Sequence, residues 1–248
     1  MRTDDRSKDE LRPVDIEPEF VIYPEGSVLI STGRTRVLCN ASVQESQPRH
    51  KADTGEGWVT AEYSMLPRSA PHRQIREVVR GRRKGRTHEI QRMIGRALRA
   101  TVHLKGLGQR TIWIDCDVLQ ADGGTRTASL TGGYIAMVMA IQHLLDDRRI
   151  KQNPLKCQLA ATSVGKVDGE LLLDLNYEED DRAEVDLNLC MTDQGKFVEL
   201  QASGEEAVFA RDELDGMLEL GEKGIRELMK HQKMVLEDVG ANLIDRNG

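Results

Sequence analysis

A chain of 248 residues, 39% of them hydrophobic, can fill one substantial core, and with 4% aromatics that core must rest on Leu, Ile, Val, Met and Ala. No apolar run approaches the roughly 20 residues needed to cross a bilayer, and the charged opening MRTDDRSKDELRP lacks the apolar stretch of a secretory signal, so a cytoplasmic protein without membrane contact is expected. The net charge of −6 argues against a polyanionic partner until its distribution is inspected.

Residues 1–13 read as a charged arm before the first strand. The stretch 27–43, SVLISTGRTRVLCNASV, predicts two strands around a turn at Thr32-Gly33-Arg34, since both arms are rich in β-branched and apolar residues. A polar, glycine-containing loop is expected over 47–57 and a strand over 58–66. The segment 67–85 has Pro, Gly and many arginines without apolar periodicity, which predicts a long loop. Ile90, Met93, Ile94, Ala97 and Leu98 then recur at helical spacing, so an amphipathic helix runs from Thr87 to about His103. Arg92, Arg96 and Arg99 share one face of it.

This basic region changes the meaning of the net charge. Between Arg68 and Arg99 stand Arg68, Arg73, Arg76, Arg80, Arg82, Arg83, Lys84, Arg86, Arg92, Arg96 and Arg99 against only Glu77 and Glu89. That is +9 locally and leaves −15 for the remainder. Arg is used almost throughout, and its planar fork matches phosphate oxygens, so the segment is an electrostatic footprint for a polyanion.

A strand is expected over 111–119, then a helix from about Ala128 to Leu145, ended by Asp146-Asp147-Arg148-Arg149. Four strands follow over 157–167, 171–177, 185–192 and 197–202, and a last helix over 211–236 whose Gly216, Gly221 and Gly224 predict a break near Gly221. Each half thus gives strands first and helices after. The fold class is α+β, a duplicated unit with halves of about 14–147 and 155–240 in one compact body. The four cysteines lie far apart with no CxxC pair, so buried free thiols are expected and a zinc site is not.

Two segments carry chemistry. In QADGGTRTASLTGG, residues 120–133, a strand leads through two glycines into a helix. Glycines let backbone approach an anion, a helix start presents unpaired N–H groups, Arg126 adds a bidentate fork and Thr125 a hydroxyl. The alternative at this level is a tight turn with Thr127 as helix cap. Neither the P-loop spacing nor a dinucleotide-binding GxGxxG is present. Arg86, at the start of the preceding helix, would join the same anion if the two helix starts are adjacent. The second segment is the acidic run Asp174, Glu178, Glu179, Asp180, Asp181, Glu184 and Asp186. On a strand Asp186 and Asn188 point to the same side, and Asp180 can fold back to join them. Such hard oxygen ligands suit magnesium. Glu178, Glu179, Asp181 and Glu184 are read as a solvated acidic turn.

The segments RSKDELRPVDI (6–16), EGSVLISTGRTRVLC (25–39), GEGWVTAEYSMLPR (55–68), GRTHEIQRMIGRALRA (85–100), DCDVLQADGGTRTASLTG (115–132) and EEDDRAEVDLN (178–188) closely resemble the ribonuclease PH family of phosphorolytic 3′ exoribonucleases, whose wider relatives are exosome ring subunits and polynucleotide phosphorylase. The resemblance implies a tRNA nucleotidyltransferase in which inorganic phosphate, as co-substrate, attacks the terminal linkage of tRNA precursors and other RNA 3′ ends. It places phosphate on Arg86, Gly124, Thr125 and Arg126, Mg2+ on Asp180 and Asp186, and the RNA backbone on Arg68, Arg73 and Arg76. Catalysis would fall to Asp180, Asp186, Arg86 and Arg126. It further implies a homo-oligomer, a hexameric ring built as a trimer of dimers. Family members commonly read EEDSR where this chain has EEDDR, so Asp181 is a departure. The rival readings are an inactive RNA-binding ring subunit and a hydrolytic metal-dependent nuclease.

Overall fold

The period-two alternation of apolar residues builds two sheets, and helices cover their apolar faces. The computed structural model describes residues 2, 4–52, 54–81, 85–204 and 207–243; Arg82, Arg83 and Lys84 of the basic segment lie outside the described residues, as does the side chain of Arg80. The first sheet has the order β1-β2-β3-β5-β4, from Val14–Pro18, Gly26–Thr32, Thr35–Gln44, Thr111–Gln120 and Trp58–Met65 respectively. Its pairs are antiparallel except β4 with β5, which is parallel. The second sheet is antiparallel throughout, in the order β7-β6-β8-β9, from Glu170–Leu173, Leu159–Val167, Val185–Thr192 and Phe197–Gly204. Helix α1 spans Gly85–Ala100, α2 Thr125–Asp146, α3 Tyr177–Asp180 and α4 Arg211–Asp238.

Helix α2 is the centre of the molecule. Sixteen of its residues are buried, on all its faces, because it packs against the first sheet and α1 on one side and against β6 and β8 on the other. By length and composition this helix is apolar enough to cross a membrane, contrary to the sequence expectation, but 83% of its apolar window is buried inside the protein. Its need for an apolar solvent is met by the two sheets.

Strands β6 and β8 of the second sheet are covered on both faces, which the alternation of β8 sorts. Val185, Leu187, Leu189 and Met191 of β8 join the cluster that includes Met217, Ile225, Leu228 and Met229 of α4. The intervening Cys190 joins the cluster of α2. Asp186 and Asn188 therefore face the same side as Cys190, toward the N-terminal half. All four cysteines are free and buried.

Several expected boundaries differ. Strand β1 and the short helix α3 were not singled out in the sequence, and the expected strand over 171–177 ends at Leu173. Asn176 ends it by forming a capping box: its side chain accepts from the Glu179 N–H at 3.0 Å, and Glu179 accepts from the Asn176 N–H at 3.1 Å. Helix α4 runs without the expected break. A Cβ at Gly221 would stand 2.5 Å from Leu189 Cδ2, so this glycine serves close helix–sheet approach. Among its described residues, the segment after β4 contains one 3₁₀ turn, Glu77–Arg80, within the expected long loop.

Candidate active site

Strand β5 delivers the chain into Asp122-Gly123-Gly124, and α2 starts at once with Thr125, three residues earlier than the sequence suggested. Both glycines take the left-handed conformation, φ +76° at Gly123 and +63° at Gly124, which disfavours any side chain there. Thr35 pins the turn by donating to the Gly123 carbonyl at 2.6 Å while accepting from the Asp122 N–H at 2.9 Å. Gly124, not Thr127, occupies the cap position, and it offers no side-chain cap bond. Thr127 instead donates its hydroxyl to the Gly124 carbonyl at 2.9 Å. The first amides of α2 thus lack an intrahelical acceptor and carry the positive end of its dipole.

The carboxylates arrive from the second half. Asn188 donates to Asp186 Oδ2 at 2.9 Å, as their shared strand face requires. The other oxygen, Oδ1, is buried and has no hydrogen-bond partner among the described residues. Burial, followed by repulsion from Asp180, pushes the Asp186 carboxyl up to about 6; Arg126, Asn188 and Arg86 oppose the rise. Asp186 therefore feels Asp180, Arg126 and Arg86 together. The hydroxyl of Tyr63 on β4 bonds to Thr125 Oγ1 at 2.9 Å, and the same two arginines act on it. Arg86, Thr125, Arg126, Asp180 and Asp186 are thus brought to one place by α1, α2, α3 and β8. Arg126 is itself oriented, donating Nη1 to Gln201 Oε1 at 2.7 Å, and Gln201 donates on to Glu89 at 3.1 Å.

Two carboxylates, one of them with an unsatisfied buried oxygen, fit magnesium, which takes one or two carboxylates and completes its octahedron with water and substrate oxygens. Among the described residues no group of three or more His, Cys, Asp and Glu is arranged to hold a metal alone.

The arginines assigned to RNA are exposed and more dispersed. Arg68 precedes Ser69, whose carbonyl accepts the Ala121 N–H at 2.8 Å, so it flanks the entry to the glycine loop. Arg73 lies in a turn closed by the Gln74 N–H on the Pro67 carbonyl. Arg76 interacts with Asp117, on β5.

Glu179 corrects the solvated reading of the acidic turn. It is 1% exposed and accepts from Arg2 through both oxygens, at 2.8 and 2.9 Å. Glu178 and Asp181 are exposed, as expected, and Glu184 is half-buried near Lys166. The sequence reading also missed Tyr63 and Gln201. Tyr63 was accessible through the alternation of Val59, Ala61 and Tyr63 on β4; Gln201 carries no local signal.

The pattern of the 3′ exoribonuclease family, domain 1, matches residues 10–141, and that of domain 2 of the same family matches residues 157–224. Ribonuclease PH of Bacillus pumilus is 59% identical over 241 residues, covering 96% of this chain and 99% of that protein. Ribonuclease PH of Bacillus subtilis is 59% identical over 240 residues, covering 96% and 98%. Among solved structures, an Archaeoglobus fulgidus exosome with RNA bound to its active site superposes with a TM-score of 0.78 at 22% identity, covering 93% of this chain and 92% of that one. Rice (Oryza sativa) Rrp46 gives 0.76 at 19%, covering 95% and 100%.

Proposed function

The chain belongs to the ribonuclease PH family of phosphorolytic 3′ exoribonucleases, and from that premise we propose how its residues divide the reaction. Inorganic phosphate attacks the phosphorus of the last 3′,5′ linkage, the shortened RNA departs with a free 3′ hydroxyl, and the released nucleotide leaves as a nucleoside diphosphate. Both reactants are anions, so the first task is to neutralise their repulsion. Arg86, Arg126 and the amides of Gly124 and Thr125 hold the attacking phosphate. Tyr63 fixes the Thr125 hydroxyl and Gln201 the Arg126 fork, which limits the motion of the nucleophile.

Asp180 and Asp186 would hold a magnesium ion, which when bound supplies charge neutralisation at the leaving 3′ oxygen. Asn188 holds Asp186 through Oδ2 and leaves Oδ1 without a partner among the described residues. Arg68, Arg73 and Arg76 hold the RNA backbone, by charge and with little sequence preference. The substrates are tRNA precursors and other RNA 3′ ends, in the cytoplasm, and the working form is a hexameric ring. The fold is shared with subunits of an archaeal exosome core, which is consistent with an assembly, and the exposed Arg68, Arg73 and Arg76 suit an RNA path shared between neighbouring copies.

The observation that carries this reading is the meeting of two arginines and an uncapped helix start with a partly buried carboxylate that has one oxygen to spare. Incubation with 3′-extended tRNA, magnesium and phosphate tests it. Nucleoside diphosphates are expected, and none when phosphate is omitted. Monophosphates made without phosphate would establish hydrolysis instead, and no product at all an inactive RNA-binding subunit.

A further inference from the structure

We infer that Arg12 is a positioning residue of this site, tying the phosphate loop of the first half to the segment of the second half that carries Asp180. The inference rests on the assignment of phosphate to Gly124, Thr125 and Arg126 made above. Arg12 is 3% exposed, and its guanidinium is divided between two elements. Nε and Nη2 donate to Asp174 Oδ2 and Oδ1 at 3.0 and 2.7 Å, and the Arg12 backbone N–H adds a bond to Oδ2 at 2.9 Å. Nη1 donates to the Asp122 carbonyl at 2.5 Å, one residue before the glycine pair. Only a planar fork serves both partners at once.

The surroundings show that this seam is narrow. A Cβ at Gly124 would stand 2.9 Å from Arg12 Nη2, and one at Gly123 would stand 2.5 Å from the Leu175 carbonyl. The phosphate loop therefore rests on the chain leaving Asp174. Six residues after Asp174 comes Asp180. Asp174 itself takes a left-handed φ of +52°, a conformation that needs an external hold in a non-glycine residue. A core ion pair alone would need no bond to Asp122. The bond to that carbonyl makes Arg12 set the spacing between bound phosphate and the carboxylate pair.

The same arm supplies an internal comparison. Arg2 bonds to Glu179, to the Leu173 carbonyl at 2.8 Å and to the Asp174 carbonyl at 3.1 Å, but not to the phosphate loop. It ties the α3 side of the seam to the arm, whose Ser7 and Glu10 carbonyls it also meets at 3.0 and 3.4 Å.

Initial rates on 3′-extended tRNA, measured against phosphate concentration, test the inference. Arg12→Lys keeps the charge but cannot reach Asp122 and both Asp174 oxygens together. Its KM for phosphate should rise about tenfold, with tRNA affinity within about twofold of wild type. Arg2→Met combined with Glu179→Gln should lower kcat while leaving the phosphate KM within about twofold. Circular dichroism and melting establish that each variant is folded; if Arg12→Lys is not, Arg12→Met with Asp174→Asn removes the pair without stranding a buried charge. An unchanged phosphate KM in a folded Arg12 variant overturns the inference, as does an equal rise in the Arg2/Glu179 variant. A wild-type rate that is independent of phosphate overturns the phosphorolytic assignment itself, and the inference with it.

Discussion

Asp186 is held in a site that opposes its charge. Burial and then Asp180 disfavour ionisation and push the Asp186 carboxyl up to about 6 from an ordinary value of 3.8. A carboxyl whose native pKa is raised binds more protons folded than unfolded, so stability is lost as pH rises from about 4 through 6. In metal-free protein, Asp186→Asn should therefore be more stable than wild type at pH 7, by about 1–3 kcal/mol, with the difference vanishing toward pH 4. Denaturant titrations at the two pH values measure this; a less stable variant at pH 7 would contradict it. Catalysis needs the ionised form, so activity should fall as pH drops through about 6 at limiting magnesium, and the acid limb should move lower as magnesium rises. A pH profile insensitive to magnesium would place the ion elsewhere. Arg126→Ala should cost about 10²-fold in phosphate-dependent turnover and leave tRNA affinity largely intact. Arg73→Ala should instead weaken tRNA binding and reduce its salt slope by about 1. At this scale the shared strand face of Asp186 and Asn188 and the place of Arg86 and Arg126 at helix starts were readable, since these are local patterns; that the four converge was not. Glu179 was not: its identity as a buried ion-pair partner depends on Arg2, 177 positions away.

Elements position these groups by how they end. Strand β5 stops at a double left-handed glycine, and α2 begins uncapped. Helix α3 is short, but its capping box orients the turn that bears Asp180. Gly123→Ala should destabilise the protein by about 2 kcal/mol, because φ is +76° and the new Cβ meets the backbone of Leu175. It should also impair phosphate binding, which titration with phosphate reports; a variant with wild-type stability and phosphate KM would show that the turn is not held by this contact. The strands and long helices were readable from periodicity. The unbroken α4 was not, since glycine weakens a helix by propensity yet is required at Gly221 by the proximity of Leu189, a tertiary fact. The start of α2 was placed late for a similar reason: Gly-Gly-Thr reads as a turn until the loop is pinned by Thr35.

At the scale of the whole molecule, the site exists only because two halves meet. The first supplies the anion-binding groups and the second the carboxylates, with α2 packed between their sheets. The α+β class and the strands-then-helices order of each half were visible in the sequence; the seam between them was not, because it is built from Arg2, Arg12, Asp174 and Glu179, residues that read locally as a charged arm and an acidic turn. The measurement closest to the central claim uses isotopically labelled inorganic phosphate with 3′-extended tRNA. Phosphorolysis predicts that every released nucleotide carries the label in the phosphate added during cleavage, as a nucleoside diphosphate. Unlabelled monophosphates released at the same rate without phosphate would contradict it.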